Sequence, residues 1–408
     1  MKKIILMATL VSAPVLANDF DGFLVEVDRI NITEENLTEL QSVSLDHLGI
    51  YKVDQLSNEL TSKTWVKRIE PNYIISIDST DPLFETSWGL ENLGNNEPRR
   101  GGGRFPVPGK LGADSKILPA WNITSGSSDI KIAVIDTGVD YGHPDLKDNM
   151  WVNEIELNGK AGIDDDGNGY IDDIHGFNFS NNSSDPMDDN KHGTHVAGII
   201  GASHNQIGLA GVMGKVQLIA VKFMDNKGRG NAAGAIAAIE YAVKNGAQVL
   251  NNSWGMLNKS ELLKEAFERA QQANVLSVVA AGNSYLNNDV NPRYPASFDL
   301  DGVITVAAYN AEDRLAAFSC FGPNSVDLAA PGRNIVSTIP GGEYAVLSGT
   351  SMAAPYVTGA IGLYLSVNPE SSYIKIKENL LNTVQYMEHL KGRVLSEGRM
   401  DIGKFLKN

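Results

Sequence analysis

The chain has 408 residues, enough for one large α/β domain with a smaller folding unit beside it. Hydrophobic residues make up 42% and aromatic residues 7%, an ordinary globular composition that excludes a mainly disordered chain; no low-complexity tract or internal repeat interrupts it. A formal net charge of -15, with no basic stripe interleaved with aromatics, argues against nucleic acid as a partner and suits an exported protein or one that holds divalent cations.

Lys2 and Lys3 precede an apolar run over residues 4–16 that ends at Ala17, followed by Asn18 and Asp19, which is the plan of a secretory signal peptide over residues 1–17. The run falls short of the roughly 20 apolar residues that cross a bilayer. No cysteine follows it to accept lipid, so a soluble, exported mature protein, periplasmic or extracellular, is expected. Residues 23–27 and 73–77 read as strands of a small α+β unit spanning 18–78. Residues 78–129 read as an exposed irregular region, because they carry Arg99-Arg100-Gly101-Gly102-Gly103 and several prolines.

Beyond residue 130, apolar strand-like runs at 130–135, 216–223, 248–250, 275–280 and 303–308 alternate with helical patterns at 232–244 and 260–273. The alternation predicts an α/β fold, a mostly parallel sheet with helices on both faces. Functional groups of such sheets gather past the carboxyl ends of the strands. Asp136, Ser253 and Asn283 fall there. The single cysteine, Cys320, rules out an intrachain disulfide and reads as a buried small hydrophobe.

Hydrolysis of a peptide bond by a hydroxyl needs a nucleophile, an imidazole to take its proton and a carboxylate to orient that imidazole. Candidates are Ser351 in Gly-Thr-Ser-Met-Ala-Ala-Pro, His192 in His-Gly-Thr-His-Val-Ala-Gly, and Asp136 in Asp-Thr-Gly after a strand. Ser351 precedes a small-residue apolar stretch over 352–367 that reads as a buried helix, whose N-terminal dipole and free amides favour an oxyanion. Pro355 is compatible only with the first turn of that helix.

These three motifs, in the order Asp, His, Ser, resemble those of the subtilisin-like serine proteases, and the match extends from about Asp81 to the C-terminus. The resemblance implies a serine endopeptidase acting on protein or peptide substrates through an acyl-enzyme, made as a zymogen, and a monomer. It implies Asn283 as oxyanion donor, with Thr350 in support. Ser253, Trp254 and Gly255 would pair with substrate backbone and, with Ala280, Ala281 and Gly282, line a small uncharged pocket of broad, apolar-leaning preference. Tyr356 stands where the family usually has histidine. Residues 18–78 resemble the family's prodomain, a chaperone and inhibitor of its own enzyme, best over 66–73, with cleavage near Asp78. Two other readings compete: a catalytically silent peptide-binding scaffold retaining the fold, and an acid-active peptidase with a carboxylate base, which His192 in the base position disfavours.

Oxygen side chains alternate in the loop 164–173, with glycine at the sixth position, a spacing that suits Ca²⁺ held by Asp164, Asp166, Asn168, the Tyr170 carbonyl and Asp172 or Asp173. It is not a full EF-hand, since position twelve is His175. The resemblance alone implies a second Ca²⁺ site, with Asp145, Asn205 and the carbonyls of Ser203, Ile207 and Leu209, completed by Asp81. Calcium bound only by the folded state would offset the missing disulfides.

Overall fold

The protein is described by a computed structural model for residues 81–98 and 108–408 and, before them, 20–28, 32–33, 37, 40, 50–53 and 57–73. The expected signal peptide, the prodomain boundary near Asp78 and the glycine-rich stretch 99–103 lie outside the described residues. The chain forms two compact units, Met1–Ser76 and Ile77–Asn408.

In the first unit, strand β1 (Phe20–Val27) pairs antiparallel with β2 (Ile50–Val53) on one side and β3 (Val66–Tyr73) on the other. Period-2 alternation turns Val25 and Val27 inward, onto Val53, Leu60 and Trp65. The short helix α1 (Asn58–Ser62) is capped by the Ser57 hydroxyl, which accepts from the Leu60 amide at 3.0 Å. Tyr73, the first residue of the strand expected over 73–77, is the last described residue of β3, and residues 74–77 lie outside the described residues.

The second unit is built on a nine-stranded sheet. Its strands are β4 (Gly126–Asp136), β5 (Gly176–Asn178), β6 (Lys215–Lys222), β7 (Val249–Asn252), β8 (Leu276–Ala280), β9 (Val303–Tyr309) and β10 (Leu328–Pro331), together with two short strands near the C-terminus. The β5-β6-β4-β7-β8-β9-β10 run is parallel throughout. An antiparallel hairpin, β11 (Ile335–Ile339) with β12 (Glu343–Leu347), lies outside that sheet.

Strand β4 shows why the sheet is covered on both faces. Ile132 and Val134 enter one apolar core while Ala133 and Ile135 enter another, and all four are fully buried. The first core takes helices α4 (His192–Gly201) and α7 (Thr350–Val367) through Val196, Ile200, Val357 and Ile361. The second takes α5 (Ala232–Lys244) and α6 (Glu261–Gln272) through Ala235, Ile239 and Phe267. Asn231 and Ser260 cap those two helices by accepting from the Gly234 and Leu263 amides, which fixes their starts at the predicted places. Helices α2 (Ile117–Trp121) and α3 (Glu154–Leu157) are single turns.

The segment before β4 corrects an expectation. It is largely irregular, yet Phe84, Trp88, Leu90, Ile117 and Trp121 are buried in the first core, and the Trp88 and Trp121 indoles donate to the Arg333 and Val212 carbonyls. Prolines and glycines signal the lack of a regular element but not exposure; the tryptophans supply the apolar area that holds this segment down.

Candidate active site

The chain leaves β4 for β5 and then β6 on one side and crosses to β7 on the other, so the carboxyl end of β4 is where the strand order reverses. A crevice opens at such a point. Asp136 is the last residue of β4, and its carboxylate is fully buried. Its Oδ1 accepts from His192 Nδ1 at 2.7 Å and from the Thr137 amide at 2.7 Å, whereas Oδ2 has no hydrogen-bond partner.

His192 is the first residue of α4, and Asp188 fixes that helix end. Asp188 Oδ1 accepts from the Asn190 and Lys191 amides and from Thr137 Oγ1, and Oδ2 accepts from the Thr194 amide and hydroxyl. One buried carboxylate therefore ties the Asp136 turn to the His192 helix. Gly193 allows the approach: a β-carbon there would lie 2.0 Å from the Gly138 carbonyl oxygen. Burial disfavours a charged His192 ring, but the adjacent Asp136 carboxylate, with a further contribution from Asp188, outweighs it and holds the imidazole above its ordinary titration range.

Ser351 lies in the first turn of α7, where backbone amides have no partner within the helix. Its Oγ donates to the Ser253 carbonyl at 3.0 Å, and Ser253 Oγ donates to the Ser351 carbonyl at 2.9 Å. Asn251 Nδ2 donates in turn to Ser253 Oγ, and Thr358 Oγ1 to Asn251 Oδ1, so a chain of side chains runs from α7 through β7 and back to the serine. Asn283 stands beside the same helix end. Its Oδ1 accepts from the Thr350 amide at 2.8 Å and from Thr350 Oγ1 at 3.1 Å, while Thr350 Oγ1 accepts from the Gly282 amide. Because Oδ1 is engaged, Nδ2 is turned the other way, 3.3 Å from where a Gly349 β-carbon would be.

The residues expected as pocket walls follow the carboxyl ends of the neighbouring strands β7 and β8. Ser253, Trp254 and Gly255 follow β7, and Trp254 packs against Phe223 with ring centroids 5.0 Å apart. Ala280 ends β8, Ala281 is fully buried, and Gly282 has φ +108°, a left-handed conformation suited to glycine.

Of the expected cation ligands, the structure gathers two groups. Carboxylate oxygens of Asp166 and Asp173 lie within 4.8 Å of each other and of Glu156, which the sequence reading missed. Asp173 is fully buried; burial pushes its carboxyl up, against hydrogen bonds from Tyr241, Asn168 and Asn153. Among the described residues no ion pair relieves these three carboxylates, so the cluster fits a hard divalent cation. Glu156 also accepts from the Asp165, Asp166 and Asp172 amides; outside the cluster, Asp164 accepts from the Asn168 and Gly169 amides, Asp172 from that of Gly162, and Asn168 Oδ1 from that of Tyr170. At the second place, Asp145 Oδ2 accepts from the Leu209 amide and Tyr344 hydroxyl, and Ser203 donates its amide to the Asp145 carbonyl. Asp81 Oδ1 accepts from the Asn205 and Gln206 amides, and Asn205 Oδ1 from Ile207. Asp145 Oδ1 is buried with no partner, and burial pushes this carboxyl up to about 6. An orphaned carboxylate oxygen near a second carboxylate is a donor set that fits calcium.

Comparison with known proteins bears on the family of the chain. Residues 127–398 match the Subtilase family. A subtilisin-like protease 1 of Plasmodium berghei (strain Anka) is 38% identical over 303 residues, covering 70% of this chain and 51% of that protein. The protein of the same name from Plasmodium falciparum (isolate 3D7) is 40% identical over 293 residues, 67% of this chain and 43% of that one. A thermophilic serine proteinase of Bacillus sp. (strain AK1) is 43% identical over 320 residues, 78% and 68%. The chain spans about half the length of the Plasmodium relatives it matches. Its fold, the order of its motifs and these likenesses together establish that the chain belongs to the subtilase family.

Proposed function

We propose that this chain is a serine endopeptidase whose triad is Asp136, His192 and Ser351. The observation that carries the reading is the 2.7 Å bond from His192 Nδ1 to the buried Asp136 carboxylate, which leaves Nε2 as the free base. For reaction, Ser351 Oγ turns from the Ser253 carbonyl to His192 Nε2 and gives up its proton as the oxygen attacks the peptide carbonyl carbon. The developing oxyanion is met by Asn283 Nδ2 and the amides at the start of α7. His192, now charged beside Asp136, passes its proton to the departing amine, and water repeats the sequence on the acyl-enzyme.

The segments after β7 and β8 offer backbone to an extended peptide, and their small uncharged walls suit a broad, apolar-leaning range of side chains before the cleaved bond. The Glu156, Asp166 and Asp173 cluster and the set of Asp81, Asp145 and the 203–209 loop would each hold Ca²⁺, which would cancel their mutual repulsion and stabilise the loops. Residues 1–17 serve export, and residues 18–78 serve as the inhibitor of a zymogen, a role supported by their separate small fold and by likeness over 66–73. A fluorophosphonate tests the central claim: it labels the native protein and not Ser351→Ala. A silent peptide-binding scaffold leaves both unlabelled.

A further inference from the structure

Gly282, on one wall, approaches two side chains that come from elsewhere in the chain. A β-carbon at Gly282 would lie 2.8 Å from Arg293 Cδ, 3.5 Å from Arg293 Nε and 3.2 Å from Cys320 Sγ. The other wall is tied to the same segment: a β-carbon at Gly255 would lie 3.3 Å from the Tyr294 carbonyl oxygen. Met256 and Tyr294 exchange both backbone hydrogen bonds, at 2.7 and 2.9 Å. Residues 293 and 294 therefore touch both expected walls, and the Arg293 side chain runs beside Gly282, where the other residues expected to line the pocket are uncharged.

Arg293 is only half-buried, yet its Nε is withdrawn from solvent and has no hydrogen-bond partner. Arg399, which is fully buried, lies 2.9 Å from the Asp313 carboxylate. Among the described residues Arg293 has no such match. Nearby Asp289 is engaged by the Asn324 and Ser325 side chains. A buried N–H without an acceptor is costly, and a ligand that supplies one gains most when it is charged and planar.

We propose that Arg293 is a specificity-determining residue that receives the carboxylate of an acidic side chain placed immediately before the cleaved bond. The proposal rests on the endopeptidase reading of this same site and departs from its apolar-leaning preference: among side chains the walls admit, an acidic one has a charged partner in Arg293.

The test compares peptides that differ only in Glu, Gln or Leu before the scissile bond, with fluorophosphonate labelling run in parallel. Native enzyme is expected to cleave the Glu peptide with a kcat/KM about 10- to 100-fold above its Gln counterpart, the range of a charge-assisted hydrogen bond. Arg293→Gln should bring the Glu-to-Gln ratio to about one or below, and Arg293→Lys should restore part of it. Because the ratio is taken within each variant, a general change in folding or turnover cancels. A native ratio of one or less, or one that Arg293→Gln leaves unchanged, overturns the proposal while labelling keeps the peptidase reading intact. Absence of labelling in the native protein overturns both.

Discussion

Exchanging Asp136 for asparagine removes a charge and keeps a shape. Asp136 Oδ1 accepts from both His192 Nδ1 and the Thr137 amide, so the asparagine carbonyl can hold both donors while its NH₂ takes the place of the unpartnered Oδ2. The ring stays oriented, and the loss reports the carboxylate's charge. Opposite unit charges 2.7 Å apart attract by roughly 6 kcal/mol at an effective dielectric of about 20. That corresponds to about 10⁴ in rate, and a fall in kcat/KM of about 10³–10⁴ at neutral pH is expected for Asp136→Asn. The pH profile carries an independent sign. In the native protein Asp136 holds His192 above 6.5; with the carboxylate gone, burial remains as the main influence and the ring titrates below 6.5. The acid limb of kcat/KM, which reports the base of the free enzyme, should therefore move from above that value to below it. Stability follows the same linkage: a raised histidine contributes fully below its unfolded value and loses that contribution as pH rises through the folded one. Asp136→Asn should thus lower Tm more in mild acid than in alkali. A variant that keeps its acid limb in place and its rate within about tenfold of native would refute the assignment of Asp136.

Asn283→Ala removes one oxyanion donor and should lower kcat by about 10²–10³ with little change in KM, measured on one peptide substrate. Asp188→Ala strips the acceptor from Thr137, Thr194 and two amides at the start of α4; a loss of roughly 2–4 kcal/mol by denaturant titration is expected. Its kcat should fall as well, since His192 is held through that helix end. Chelation of calcium should lower Tm by about 5 °C, because a ligand at about 100 times its Kd contributes near 2.7 kcal/mol. In Glu156→Gln or Asp145→Asn the response to chelator should shrink, and an unchanged response in both would remove the calcium assignment.

Much of the sheet was legible because each strand is short, apolar and bounded. The runs at 130–135 and 303–308 lie inside β4 and β9, and α5 spans its predicted residues since Asn231 marks its start. The triad candidates were legible as motifs, each next to an element that positions it. What escaped depends on partners far away in sequence. Glu156 sits on a one-turn helix with no spacing to link it to Asp173. Asp188 resembles any acidic residue in a polar loop until Thr137 is seen to donate to it across 51 positions. Arg293 carries no pattern at all, for its meaning comes from Gly282 having no side chain. The burial of Trp88 was hidden for the same reason, since its acceptor is the carbonyl of Arg333.

The triad candidates come from β4, α4 and α7, elements that are far apart in sequence and come together in the first core. The shortest stretch that holds all of them runs from residue 136 to 351 and takes in most of the sheet, so turnover is a property of the whole cooperative unit rather than of any small piece. During thermal inactivation, catalytic activity and the near-ultraviolet signal of buried Trp88 and Trp121 should therefore vanish together, whereas a nick within the peripheral 164–173 loop can loosen that loop while the enzyme goes on working.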